Sequence, residues 1–317
     1  GLVLKATPAN QKDKIMEALD NLQAGGSTAG GAGIELAYKV AEENLIKGGN
    51  NRIVLCSDGD FNVGISSTVD LVRMVEQKRQ KDIYLTICGF GMGNYKDGRM
   101  EDIAKNANGN YFYIDNLSEA RKVFVTEMRA NMFTIAKDVK IQVEFNPKWV
   151  QAYRLIGYEN RVMQNQDFND DKKDAGELGA GHTVTAIYEV IPVGVKNTFA
   201  ASTDKLKYQD KQIQLSNTKE LATVKLRYKP LRQENSLLLT EVVENNQRKW
   251  QASSDNFRFS AAVASFGMLL RNSPFKSDSN YEQVIALAKE AKGEDENAYR
   301  ANFIELVKTA KGMQLHK

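Results

Sequence analysis

The chain has 317 residues, with 43 Lys+Arg against 40 Asp+Glu, a net charge of +3 and 42% hydrophobic residues. That length suits about two or three domains, and so balanced a charge argues against a protein built mainly to grip nucleic acid. With only 2 His and 2 Cys, a zinc ribbon or zinc finger is excluded, and Cys56 and Cys88 make no disulfide framework.

The chain opens Gly1-Leu2-Val3-Leu4 without an initiator Met. It is expected to be the later part of a longer protein, with residues 2–6 a possible strand. No signal peptide is visible, and no apolar run approaches the ~20 residues of a spanning helix. Ile15, Leu19 and Leu22 repeat at helical spacing. Ile34, Ala37, Val40, Ala41 and Leu45 share a helical face, and Gly48-Gly49 follow as a stop. Residues 52–57 (RIVLCS), 83–90 (IYLTICGF) and 110–114 (NYFYI) are short, β-rich and nearly continuous in apolar character. Such runs read as strands buried on both faces, with Cys56 and Cys88 as buried, reduced thiols. Helices are expected around Leu71, Val72 and Val75, around Ile103, and from Val123 through Phe124 and Met128 to about Phe133. Strands alternating with helices imply a mostly parallel, doubly wound sheet, so residues 1–133 read as an α/β domain.

After Thr134 the period changes to two. Val139, Ile141, Val143 and Phe145 alternate with polar residues, as do Val184–Val190 and Val224–Tyr228; residues 149–158 and 236–243 are further candidates. This predicts an antiparallel sheet or sandwich over residues 134–250, with long connections at 163–180 and 194–220. Residues 251–317 read as a small helical subdomain. It starts near Asp255, has a capping box at Ser279–Glu282 and a stop at Gly293, and ends in a helix near Gly312.

Two segments could carry chemistry. GGSTAGGAG, residues 25–33, precedes the second helix. It lacks the Lys of a phosphate-binding P-loop and fits no dinucleotide motif. Thr28 remains as a hydroxyl at a helix start, available to a metal or an anion, or simply as an N-cap. SDGDFN, residues 57–62, follows a buried strand. At that edge of an open α/β sheet ligands bind, and the Asp58 carboxylate suits a hard cation such as Mg2+. Asp-Gly is also an ordinary turn.

GGSTAGGAGIELAY followed by RIVLCSDGDFNVG resembles the later portion of a von Willebrand factor A domain. That resemblance implies a metal-ion-dependent adhesion site, with Thr28 and Asp58 as two of its ligands. The family's Asp-x-Ser-x-Ser segment is missing from this chain, so Mg2+ is expected to bind weakly or not at all here. AKDVKIQVEFNPKWVQAYRLIGYENR, DAGELGAGHTVTAIYEVIPVG and the helical tail resemble bacterial YfbK-type proteins. The resemblance implies a bacterial cell-envelope setting, periplasmic or lipoprotein-anchored. A partner ATPase of the MoxR type is suggested by the resemblance alone.

Other motifs are weaker. Residues 167–174 resemble a calcium loop at three positions but lack its Gly and its final Glu. His182 stands outside any motif, Gly89–Gly93 reads as a turn, Trp149, Tyr153 and Tyr158 read as sheet core, and residues 205–232 form a mildly basic, solvated face. The expectation is a non-enzymatic interaction or adhesion-type module. In the intact protein it would take an acidic group of a protein partner through a divalent metal. The alternatives are a structural envelope scaffold with a vestigial metal site and, further off, a metal-assisted hydrolase using Asp60 or Ser57 beside Asp58.

Overall fold

A computed structural model describes residues 1–23, 30–58, 68–91, 97–158, 162–173, 175–197, 218–231, 233–246 and 249–314. The chain forms two compact units that interleave in sequence. One holds Gly1–Lys140, Asp171–His182 and Tyr228–Leu237; the other holds Ile141–Asp170, Thr183–Arg227 and Leu238–Lys317.

The first unit is built on α1 (Lys12–Asp20), α2 (Gly30–Glu43), β1 (Asn51–Ser57), α3 (Thr68–Arg79), β2 (Ile83–Phe90), α4 (Asp97–Asn106) and β3 (Tyr111–Ile114). The strands form a parallel sheet in the order β1-β2-β3. Residues 83–89 of the central strand are buried throughout, as its apolar run predicts. Ile83, Leu85 and Ile87 pack with Ile34 and Tyr38 of α2, Leu71 and Val75 of α3, and Met100 and Ile103 of α4. Cys88, on the opposite face, packs with Ile114 and Val123.

Strand β1 departs from the sequence expectation. Ile53 and Leu55 pack on the α2–α4 side, but Val54 is 40% exposed and Cys56 is exposed. An apolar run records that a strand is hydrophobic, not that a helix covers each face. Val123 joins the cluster around Cys88 and Ile114 on β2 and β3, whereas β1 is an edge strand whose second face lacks such cover among the described residues. Residues 2–6 form no strand, and the apolar residues Met16 and Leu19 of α1 are exposed.

Gly109 sets the path from α4 into β3. A Cβ there would come 1.8 Å from the Leu85 carbonyl oxygen, so only glycine lets this turn lie against β2. Beyond β3, Asn116 caps α5 (Leu117–Arg121) by accepting from the Glu119 N–H. One π-helical turn, Lys122–Thr126, then leads to α6 (Met128–Met132). The single helix expected from Val123 through Met128 is thus two short pieces, the π-helical turn and α6.

The remaining strands are β4 (Thr134–Phe145), β5 (Val150–Ile156), β6 (Gly176–Gly179), β7 (Ile187–Pro192), β8 (Glu220–Pro230) and β9 (Leu237–Glu244). They form a four-stranded sheet, β6-β4-β8-β9, and a two-stranded one, β5-β7; the pairs β4–β6 and β5–β7 are antiparallel. The register of β4 against β6 shifts twice, and Asp138, within the second shift, has φ 51°. Strand β7 begins three residues later than the alternation from Val184 predicts.

In the second unit Arg154 of β5 pairs with Glu189 of β7 and stacks over Phe275 at 4.3 Å. Helices α7 (Asp255–Leu270), α8 (Tyr281–Glu290) and α9 (Tyr299–Gln314) enclose Phe266, whose ring meets Phe303 edge-on at 5.6 Å and Tyr281 at 6.1 Å. The capping box lies one residue later than expected: Asn280 accepts from the Gln283 N–H, and the Gln283 side chain accepts from Asn280. Among the described residues no helix is long and apolar enough to cross a membrane.

Candidate functional site

Parallel strands all end on one side, and chain entering and leaving that edge leaves backbone and side chains free for a ligand. In this sheet the edge is made by the residues that follow β1, β2 and β3. Ser57 pairs in register with Gly89, and Phe90 with Ile114. Asp58 comes directly after β1 and is exposed. Gly91 follows β2 with φ 89°, and a Cβ built on it would lie 3.6 Å from the Asp58 carbonyl oxygen. Asp58 and Gly91 are therefore backbone neighbours, and Gly91, in the turn expected at Gly89–Gly93, has a positive φ. The Tyr113 hydroxyl of β3 donates to the Gly91 carbonyl at 2.5 Å. Asp115 ends the row, exposed, its carboxylate accepting from the Asn116 side-chain amide at 2.8 Å.

Sequence reasoning singled out Asp58 and not Tyr113 or Asp115. Those two carry no local motif, and only the pairing of β3 with β2 brings Tyr113 to the Gly91 turn. Thr28, the other expected ligand, and Asp60 lie outside the described residues. Mg2+ takes about six oxygen ligands. Among the described residues no group of three or more His, Cys, Asp or Glu could hold a metal ion. Asp58 supplies one carboxylate, and Asp115 is two strand spacings away, roughly 10 Å. The described residues alone therefore do not fit a Mg2+ site.

Behind Asp58 the two cysteines are direct register partners, Cys56 on β1 and Cys88 on β2. Cys56 is exposed and Cys88 buried, which corrects the expectation of two buried thiols. A hydrogen bond from Cys88 pulls the Cys56 thiol down to about 7, against desolvation. Giving that bond, together with burial, pushes the Cys88 thiol up. The opposite end of the same face is closed. Arg52 donates to the Thr86 hydroxyl at 2.8 Å and lies over the Tyr84 ring.

The remaining candidates have structural surroundings. In the calcium-like segment Phe168 is buried. The Asp171 carboxylate accepts from the Ser236 hydroxyl, and Lys229 donates to the Asp171 carbonyl at 2.6 Å. His182 is exposed, with its backbone N–H on the Gly179 carbonyl.

Comparison with known proteins agrees with this architecture. Residues 3–126 match the von Willebrand factor type A domain family, whose members generally mediate protein interactions. Residues 130–313 match the family described as "Uncharacterized protein YfbK, C-terminal". The chain is 44% identical over 315 residues to the "Uncharacterized protein YfbK" of Escherichia coli (strain K12), covering 98% of this chain and 53% of that protein. It thus spans about half the length of the curated relative it matches. Among solved structures, a von Willebrand factor type A protein from Catenulispora acidiphila aligns with a TM-score of 0.44 at 14% identity, over 95% of this chain and 67% of that one. The SpRpn10 VWA domain aligns with a TM-score of 0.29 at 17% identity, over 36% of this chain and 58% of that one. The family match over more than half of the sequence shows that the chain belongs to the YfbK family, with a von Willebrand factor type A domain ahead of the YfbK C-terminal domain.

Proposed function

We propose that this chain is a non-enzymatic protein-interaction module whose binding surface is the C-terminal edge of the β1-β2-β3 sheet, centred on Asp58. The observation that carries the reading is an exposed carboxylate directly after β1, against the positive-φ turn at Gly91. Farther along the same edge stand the Tyr113 hydroxyl and the Asp115 carboxylate, so the edge is polar. A partner reaching this edge meets hydrogen-bonding groups on a rigid sheet, which favours specificity over bulk apolar burial.

The finer form of the proposal is metal-bridged. Asp58 and Thr28 would supply two oxygen donors to a divalent cation such as Mg2+, and an Asp-x-Ser-x-Ser segment in the full-length natural protein the others. The partner group that suits such a contact is a carboxylate. The test is capture of partners by the immobilised full-length protein in Mg2+ or chelator, compared with Asp58→Ala. A partner retained by the wild type in Mg2+ and lost with chelator or with Asp58→Ala supports the metal bridge. Retention that ignores the chelator removes the metal, and retention by Asp58→Ala removes the surface.

A further inference from the structure

We infer that Cys56 and Cys88 together form a reversible thiol-modification site, in which Cys56 takes a small-molecule disulfide and Cys88 resolves it to an intramolecular Cys56–Cys88 disulfide. The inference rests on the strand register and does not depend on the proposed interaction surface. Register partners on neighbouring strands have backbones about 4.8 Å apart. A disulfide accepts Cα separations of roughly 4.4–6.8 Å. Register partners also point to the same face of the sheet, which sets the two sulfurs side by side. Exposure divides the roles. Cys56 is exposed, beside the exposed Val54, on a side of β1 that the described residues leave uncovered, while Cys88 is fully buried against Ile114 and Val123. An incoming reagent reaches the first sulfur only, and the second waits next to it.

The chemistry balances with one small disulfide, such as glutathione disulfide. The Cys56 sulfur attacks it, forming a mixed disulfide and releasing one small thiol, which leaves with the Cys56 proton. The Cys88 sulfur then attacks Cys56 Sγ. The bond to the small molecule breaks, and a second small thiol leaves with the Cys88 proton. The protein pair loses two electrons, and the reagent, reduced to two thiols, gains them. The new bond would tie β1 to β2 one residue before the Ser57↔Gly89 pair.

The full chain, reduced and then freed of reductant, is incubated with glutathione disulfide. Remaining thiols are alkylated in denaturant and the intact mass is read. The expected product is two hydrogens lighter, takes up no alkylating reagent and reverts with dithiothreitol. At a fixed glutathione poise, its yield relative to mixed disulfide should be at least about ten times higher in the folded chain than in the urea-unfolded one, where only loop closure brings the cysteines together. Cys88→Ser should stop at a mixed disulfide on Cys56, and Cys56→Ser should leave Cys88 unreacted while folded, with circular dichroism confirming that each variant folds. The wild-type measurement needs neither variant. Two free thiols, a mixed disulfide that Cys88 fails to resolve, chains linked through Cys56, or equal yields folded and unfolded would each overturn the inference.

Discussion

Tyr38 and Glu42, one turn apart on α2, make opposite predictions. Tyr38 is 1% exposed, and its buried hydroxyl has no hydrogen-bond partner among the described residues. Burial pushes its ionisation above the ordinary tyrosine range. Desolvating an unpaired hydroxyl costs about 1–3 kcal/mol, so Tyr38→Phe should leave the fold as stable or raise its stability by about 1 kcal/mol in urea unfolding. A clear loss of stability would mean that the hydroxyl has a partner. Glu42 accepts from Lys78 and Lys81 of the α3 region, each at 2.8 Å. Hydrogen bonds from Lys78 and then Lys81 lower its carboxyl from 4.5 to about 2. A depressed carboxyl stabilises the fold above its unfolded pKa and loses that contribution as pH falls through its folded one. The melting-temperature gap between wild type and Glu42→Gln should therefore be constant above 4.5 and close as pH falls to about 2. A gap independent of pH would contradict it.

Helices and strands differ in how much of them the sequence discloses. The parallel strands are legible because a strand inside an α/β layer is one apolar run. Strands β4, β8 and β9 are legible through alternation or β-rich composition. Strand β6 is not: Gly176–Gly179 is four residues, GELG, with no period, and its partner lies some 40 residues earlier in β4. The capping box slips by one because Ser279 and Asn280 can both cap, and Glu282 and Gln283 can both answer. Cys56 slips because coverage of a strand face is decided by other elements. Gly109 carries no motif of its own; its packing role comes from the return of the chain against β2. Gly109→Ala should cost more than about 3 kcal/mol, through a clash with rigid backbone at Leu85. Gly33→Ala in α2, where added bulk meets open space, should be stabilising by about 0.5–1 kcal/mol. Thermal melts of the pair check both, and equal melting temperatures would refute the packing argument.

The whole chain joins a von Willebrand factor type A domain to a YfbK C-terminal domain. The central claim is that Asp58 and the Gly91 turn mark the face that meets another protein. Composition removed a zinc ribbon or zinc finger, and the motif around Asp58 supplied the position. Tyr113 and Asp115 were beyond reach because only the pairing of β3 with β2 brings them to the same edge. Asp58 is exposed, so its replacement by Ala should change stability by no more than about 0.5 kcal/mol, and a binding defect can be read as such. The most direct test is the affinity of a captured partner for the wild type, Asp58→Ala and the control Glu241→Ala on exposed β9. The account predicts at least about a tenfold loss, near 1.4 kcal/mol, for Asp58→Ala and none for Glu241→Ala. Equal affinities for wild type and Asp58→Ala would contradict it.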